Sequence, residues 1–273
     1  MMVGQRGSSL ALWPDMADFL ATMAKSSRAR ADQLHPAEVR SHAAMRTPPR
    51  LNVDGFIIIA ECKLSAPSVG VLTAPDDPTG EARRRAKVYA DAGATAVSVL
   101  SEPSRFAGDI DHVLAASACS APVMRKDFLV DPAQVWEARA AGAGGVLLIA
   151  TMLKDDILLE MLHTAAEADL FVLVEGFDAD DLERIGAVAH GWTGSQPFLA
   201  GLNCRDLRSL QVNPNRFAEL APHLPTHVPV LAESGIEDGD GAKRVRDLGY
   251  GGVLIGSALM RADDPAAVIR SLR

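Results

Sequence analysis

The sequence predicts an α/β protein: a single (β/α)8 TIM barrel with an N-terminal helical extension. Three observations predict it. The chain has 273 residues, close to the length of one such barrel with a small addition, and nothing in it reads as an interdomain linker. Eight short aliphatic runs alternate with segments of helical periodicity, the pattern of a parallel sheet. Hydrophobic residues make up 48% of the chain but aromatic residues only 5%, so the core is Val, Leu, Ile and Ala, as in strands buried on both faces. A doubly wound open sheet shares the alternation, but no G-x-G-x-x-G follows the first run. Closure into a barrel fits better.

In chain order, residues 1–15 read as a weakly ordered leader, and Pro14-Asp15 can start a helix. Residues 16–47 form the helical extension of a domain that spans 16–273. They carry Phe19, Leu20, Met23 and Ala24 on one side, which should pack across one mouth of the barrel. The strand runs are 56–60, 96–100, 122–125, 145–149, 171–174, 199–202, 228–231 and 252–255. Helical periodicity marks 79–92, 132–141, 154–168 and 240–248. Asp and Pro open these segments, as in Asp131-Pro132 and Asp264-Pro265. Glycines close them, as at Gly93, Gly142 and Gly249.

The net charge of −8 argues against a nucleic-acid partner or an anionic membrane surface. An anionic ligand must be held by a few local cations and backbone N–H groups. Cys62, Cys119 and Cys204 are an odd count without paired spacing, which suits reduced thiols in the cytoplasm. No stretch approaches a membrane span and no signal peptide is recognisable.

In a barrel of this kind the chemistry lies just past the C-terminal end of each strand. Glu61 and Lys63 follow the first strand, Lys126 the third, Glu175 the fifth, and Asn203 and Arg205 the sixth. The seventh ends in Glu233-Ser234-Gly235 and the eighth in Gly256-Ser257. Strand alternation puts Glu61 and Lys63 on one side, and likewise Asn203 and Arg205. Any one pair reads as an ordinary salt bridge at the barrel rim. The whole set, three carboxylates and two lysines facing one space, is too costly to bury without a purpose, and such clusters tune acids and bases. Turns after strands seven and eight are the usual phosphate cradle of this fold. Here Ser234, Gly235, Gly256 and Ser257 offer hydroxyls and close backbone approach, although each turn alone also reads as a tight βα connection.

Phe106, in the loop after strand two, can touch an aromatic substrate or simply pack. The histidines show no ligand spacing, so no metal is expected. Neither a Walker loop nor a nicotinamide fingerprint is present, and no cofactor is expected.

These residues, in this order, resemble the indole-3-glycerol phosphate synthase family over roughly residues 16–273. The matching segments are Ala60-Glu61-Cys62-Lys63 with Pro67-Ser68, Ala96-Val97-Ser98-Val99-Leu100, Arg125-Lys126-Asp127-Phe128, Leu147-Leu148-Ile149, Leu173-Val174-Glu175, Gly201-Leu202-Asn203-Cys204-Arg205-Asp206-Leu207, Glu233-Ser234-Gly235 and 254–260. The resemblance implies Glu61, Lys63, Lys126, Glu175, Asn203, Glu233 and Ser234 as the catalytic set. Ser68, Phe106, Arg205, Gly235, Gly256 and Ser257 are implied or suspected substrate contacts. It implies a carboxy-lyase of tryptophan biosynthesis that takes 1-(2-carboxyphenylamino)-1-deoxyribulose 5-phosphate through ring closure, decarboxylation and dehydration. Lys126 would be the acid of closure, with Lys63 the alternative. The loop 64–73 would be a lid.

The sequence departs from the family pattern at Ala66, Val69, Gly176-Phe177 and Cys204, and 190–198 resembles an insertion. These changes are expected in the loops that cover the substrate. They leave open a paralogue that acts on a modified anthranilate-derived substrate. A Schiff-base aldolase also uses an inward lysine on a barrel strand.

Overall fold

A computed structural model of the protein describes residues 16–66, 70–205 and 211–273. Eight parallel strands close into a barrel: β1 (Ile57–Cys62), β2 (Ala96–Leu100), β3 (Val123–Lys126), β4 (Gly145–Ile149), β5 (Phe171–Gly176), β6 (Phe198–Asn203), β7 (Val230–Glu233) and β8 (Gly252–Ile255). All eight expected strands are present. Five of them run one or two residues further toward their C-terminal ends than hydrophobicity suggests. The added residues include the polar ones Glu61, Lys126, Glu175, Asn203 and Glu233, which the sheet itself therefore carries into the C-terminal mouth.

Alternation along the strands builds two cores. Ile57, Ile59, Met124, Leu147, Leu173 and Leu231 belong to the cluster inside the ring. Ile58, Val97, Val146, Val172 and Val253 face the surrounding helices. Those helices include α3 (Pro78–Asp91), α4 (Pro103–Phe106), α5 (Ile110–Ala116), α6 (Pro132–Ala140), α7 (Asp155–Glu167), α8 (Ala179–His190), α9 (Arg216–Leu220), α10 (Gly239–Asp247), α11 (Ser257–Arg261) and α12 (Pro265–Ser271), preceded by α1 (Met16–Ala31) and α2 (Pro36–Ala44). Asp77, Asp131, Asp178, Asp238 and Asp264 each accept a backbone N–H at the start of a helix. For Asp131 and Asp264 this is the capping role their positions suggested. No described helix is long and apolar enough to cross a membrane.

The extension touches both ends of the barrel rather than one. Phe19, Leu20 and Met23 of α1 join the interior cluster at the C-terminal mouth, where Phe19 meets Phe128 edge-on at 5.7 Å. Helix α2 lies along α6. The chain then passes under the opposite mouth, where Arg50 donates to the Ser195 carbonyl at 2.8 Å and Leu51 N donates to Gln196 Oε1 at 3.2 Å. This corrects the expectation for 190–198. The segment precedes β6, at the end of the barrel away from the C-terminal mouth, and braces the extension. It does not cover a substrate.

Candidate active site

The polar ends of the strands converge inside the C-terminal mouth. Lys126 Nζ donates to Glu175 Oε2 at 2.9 Å and lies 3.9 Å from Glu233 Oε2. Asn203 Nδ2 donates to the other oxygen of Glu175 at 3.1 Å. Lys63 Nζ meets Glu61 Oε1 at 2.5 Å, as their spacing on one strand face predicted. Two glycines make the room. A Cβ at Gly256 would collide with Glu61 Oε1, and one at Gly201 with Glu233 Oε1. Gly256 therefore frees a carboxylate as well as opening the turn after β8.

Electrostatics sorts these groups. Burial works against the charge of Lys126, but Glu175, Glu233 and Glu61 outweigh it and raise its pKa above the ordinary lysine range. Burial also opposes the charge of Glu175, yet Lys126 and hydrogen bonds hold its pKa down. Glu233 goes the other way: burial, reinforced by the Glu175 carboxylate, pushes its pKa well above the ordinary range. Neither of its oxygens accepts a hydrogen bond from a described residue, and hydrogen bonding to Glu175 favours its protonated form. The mouth thus holds a charged lysine, an ionised carboxylate and a carboxyl group that resists ionisation, the separation of roles that acid–base chemistry requires.

The turns after β7 and β8 lie side by side, because Leu254 pairs with Glu233 in the sheet. Ser234 has φ 69°, a left-handed conformation that is strained for a residue with a side chain and characteristic of functional turns. Cys204 faces away from the barrel axis, and its thiol donates to the Ser234 carbonyl at 3.3 Å. Burial raises the pKa of that thiol to about 11, so it stays a neutral donor. This corrects the expectation that Cys204 lies over the substrate: it supports the Ser234 turn from behind.

Phe106 packs against Phe128 at 6.0 Å, so Phe19, Phe128 and Phe106 form an aromatic series along one side of the mouth. Phe177 is buried in the same interior cluster. Arg205 follows β6, donates its N–H to Asn203 Oδ1 at 3.1 Å and bridges to Val212, at the rim. Ser68, Val69 and 206–210 lie outside the described residues, and the ends of the 64–73 loop pair as a short antiparallel ribbon. Among the described residues no group of three or more His, Cys, Asp or Glu side chains is arranged to hold a metal ion.

Two features escaped the sequence reading. Ser98 is inward on β2, in register with Glu61, and its buried hydroxyl has no partner among the described residues. Asp127, on the outer face beside Lys126, is fully buried against Arg30 from α1. Strand parity alone marks Ser98 as inward, but a partner 97 residues away leaves no local signal for Arg30.

The model of the family described as indole-3-glycerol phosphate synthase matches residues 21–272. The chain is 40% identical to the indole-3-glycerol phosphate synthase of Salinibacter ruber over 221 residues, 80% of this chain and 78% of that protein. It is 40% identical to that of a Nocardioides species over 242 residues, covering 86% and 89%. With that of Acidithiobacillus ferrooxidans it shares 37% over 254 residues, covering 89% and 92%.

Proposed function

The chain belongs to the indole-3-glycerol phosphate synthase family, and from that premise we propose how its own residues carry the reaction. It is a carboxy-lyase that closes the pyrrole ring of 1-(2-carboxyphenylamino)-1-deoxyribulose 5-phosphate with loss of CO2 and water. The observation that carries the assignment of roles is Lys126, held charged between Glu175 and Glu233 in the mouth.

Ring closure forms a bond between the carboxylate-bearing aromatic carbon and the ribulose carbonyl carbon. The carbonyl oxygen then needs a proton, and Lys126 supplies it. Positive charge develops on the nitrogen side of the ring, and the ionised Glu175 stabilises it. Loss of CO2 leaves its electron pair to restore aromaticity. Dehydration needs an acid at the departing hydroxyl and a base on the amine side. Lys63 and Glu61, already an ion pair at 2.5 Å, serve as that pair. Asn203 and Glu233 take substrate hydroxyls. Ser234, Gly235, Gly256 and Ser257 take the phosphate, Phe106 the aromatic ring, and Ser68 and Arg205 the rim contacts. A Schiff-base aldolase would need a neutral lysine, and the neighbouring carboxylates, Glu175 foremost, oppose that at Lys126.

Residues 16–273 act as one domain in this reading, without nucleic acid or a membrane. The three free cysteines suit the reducing cytoplasm.

The test is incubation of the protein with the plain substrate, its dephosphorylated form and ring-substituted analogues, following indole absorbance and CO2 release. Turnover of the plain substrate, with a sharp rise in KM when the phosphate is removed, is expected. A modified-anthranilate paralogue would prefer an analogue. Inactivity of a folded preparation on all of them would overturn the reading.

A further inference from the structure

We propose that Arg30, on the N-terminal helix α1, is a positioning residue for ring closure, acting through Asp127 to fix the direction of Lys126. The inference rests on Lys126 being the acid of that step.

Lys126 ends β3, and its backbone is supported unevenly. On one side it pairs with Leu100 of β2, and its carbonyl accepts Ser101 N at 3.0 Å. On the other side the β3–β4 ladder stops at Arg125 opposite Val146. The strand therefore releases the chain at the residue whose side chain must be aimed most closely. The aim matters because Lys126 Nζ lies 2.9 Å from Glu175 and 3.9 Å from Glu233. A shift of about 1 Å would exchange its partners, and misplacement on that scale is costly to catalysis.

Asp127 supplies the missing support. Its Oδ1 accepts the Phe128 backbone N–H at 2.8 Å, fixing the chain immediately after Lys126. Arg30 grips the same carboxylate with both terminal nitrogens, each at 2.8 Å. This fork geometry is one that lysine cannot reproduce. The remaining nitrogen of the Arg30 guanidinium has no partner among the described residues, and both terminal nitrogens go to Asp127. Arg125 also reaches Asp127, at 3.2 Å, but it has its own carboxylate in Glu137 at 2.6 Å.

Helix α1 has further anchors on the same segment. Gln134 Nε2 donates to Ser27 Oγ at 2.9 Å, Arg28 donates to the Val130 carbonyl at 2.6 Å, and Phe19 packs on Phe128. Loss of Arg30 should leave the helix docked while loosening the carboxylate that steers Lys126.

The experiment is a set of cycles: Arg30→Met, Arg30→Lys and Asp127→Asn, each made in the wild type and in a Lys126→Met background. kcat, KM and thermal midpoint are measured on every protein. Arg30→Met is expected to lower kcat on the order of tenfold, with KM within about twofold. In the Lys126→Met background the same change should leave the residual kcat within about twofold, because the group it steers is gone. Arg30→Lys should recover thermal midpoint more fully than kcat. Equal loss of kcat in both backgrounds, or no loss in the wild type, would overturn the inference. Should Arg30→Met fail to fold, the nearly isosteric Asp127→Asn takes its place in the cycle. Lys126→Met by itself tests the underlying reading: a kcat within a few-fold of wild type removes the acid. Collapse of Lys126→Met beside an unaffected Arg30→Met removes only the steering role.

Discussion

The two faces of β3 carry ionic clusters of similar composition and opposite character. On the outer face Asp127 accepts five hydrogen bonds: two from Arg30 and one each from Ser101, Arg125 and Phe128 N. On the inner face, one residue earlier, Lys126 has one close carboxylate and one distant one, and Glu233 accepts no hydrogen bond from any described residue. Both clusters are shielded from water: Asp127 has 0% side-chain exposure and Glu233 1%. Burial therefore does not distinguish them; saturation does. A buried carboxylate that is fully bonded has nothing left to offer a ligand. One left open is an expense the fold tolerates only where a substrate will complete it. In the proposed mechanism the outer cluster holds and the inner one reacts.

The largest effect that could break this comparison is on Lys126. As the proposed acid of ring closure it should contribute on the order of 10²–10⁴-fold to the rate. Lys126→Met removes the proton and the charge but keeps most of the packing. We expect kcat to collapse by that factor, with a thermal midpoint near that of the wild type. A kcat within a few-fold of wild type and a clearly lower midpoint would make Lys126 one more structural ion pair, and the two faces would be alike.

The outer cluster should respond in the opposite sense, through stability. Arg30 and Arg125 outweigh the burial of Asp127 and hold its pKa at about 2, against an ordinary 3.8. A folded pKa below the unfolded one contributes stability that is present above the unfolded value and lost as pH falls through the folded one. The gap corresponds to about 2 kcal/mol at neutral pH. Asp127→Asn is therefore expected to cost about that much at pH 7, and the deficit should shrink between pH 4 and pH 2. Denaturant unfolding across that range measures it, and a deficit independent of pH would mean that shape rather than charge holds the cluster.

Glu233 gives a smaller effect with the reverse sign. Its folded pKa is raised, so its contribution to stability is intact at low pH and is lost as pH rises from the unfolded value through the folded one. Glu233→Gln keeps the shape, cannot ionise and can donate to Glu175. The variant should melt higher than the wild type at pH 8, match it near pH 4, and turn over more slowly. A variant less stable at every pH would show that the inner carboxyl is satisfied after all.

Much of this was legible in the sequence, because two strong signals coincide. Strand periodicity put Glu61, Lys63, Lys126, Glu175, Asn203 and Glu233 at strand ends, and the fold directs strand ends to one mouth. Alternation then forced Glu61 and Lys63 together. The same parity rule, applied to the residues in between, predicts that Arg125 and Asp127 face outward, but it names no partner for them. Arg30 lies 97 residues from Asp127, in a helix whose apolar side, Phe19, Leu20 and Met23, drew the attention. Its role depends on where α1 docks, which periodicity does not encode. The course of the extension under the far mouth was hidden for the same reason. Each bond that makes it has a backbone group on one side, the Ser195 carbonyl for the Arg50 guanidinium and the Leu51 N–H for the Gln196 amide, and backbone groups are ones that any sequence possesses.

That far mouth supplies the smallest expected effect and a control for everything above. Gln196 is 2% exposed, and its Oε1 accepts Leu51 N at 3.2 Å. Its own backbone carbonyl accepts Trp192 Nε1 at 2.8 Å. The first bond ties the segment before β6 to the extension, and the second closes that segment on itself, at the end of the barrel opposite Lys126. Gln196→Ala leaves Leu51 N unpaired and should cost about 1 kcal/mol, the net worth of an ordinary hydrogen bond. The Trp192 contact runs through backbone and should survive. Because the change is remote from every group that touches substrate, kcat/KM should stay within about twofold of wild type, for the plain substrate and for ring-substituted analogues alike. Unfolding curves and steady-state kinetics on the same preparation check both halves. A change in preference among the analogues would return this segment to the substrate-selecting loops and dissolve the division between an end of the barrel that braces and an end that reacts.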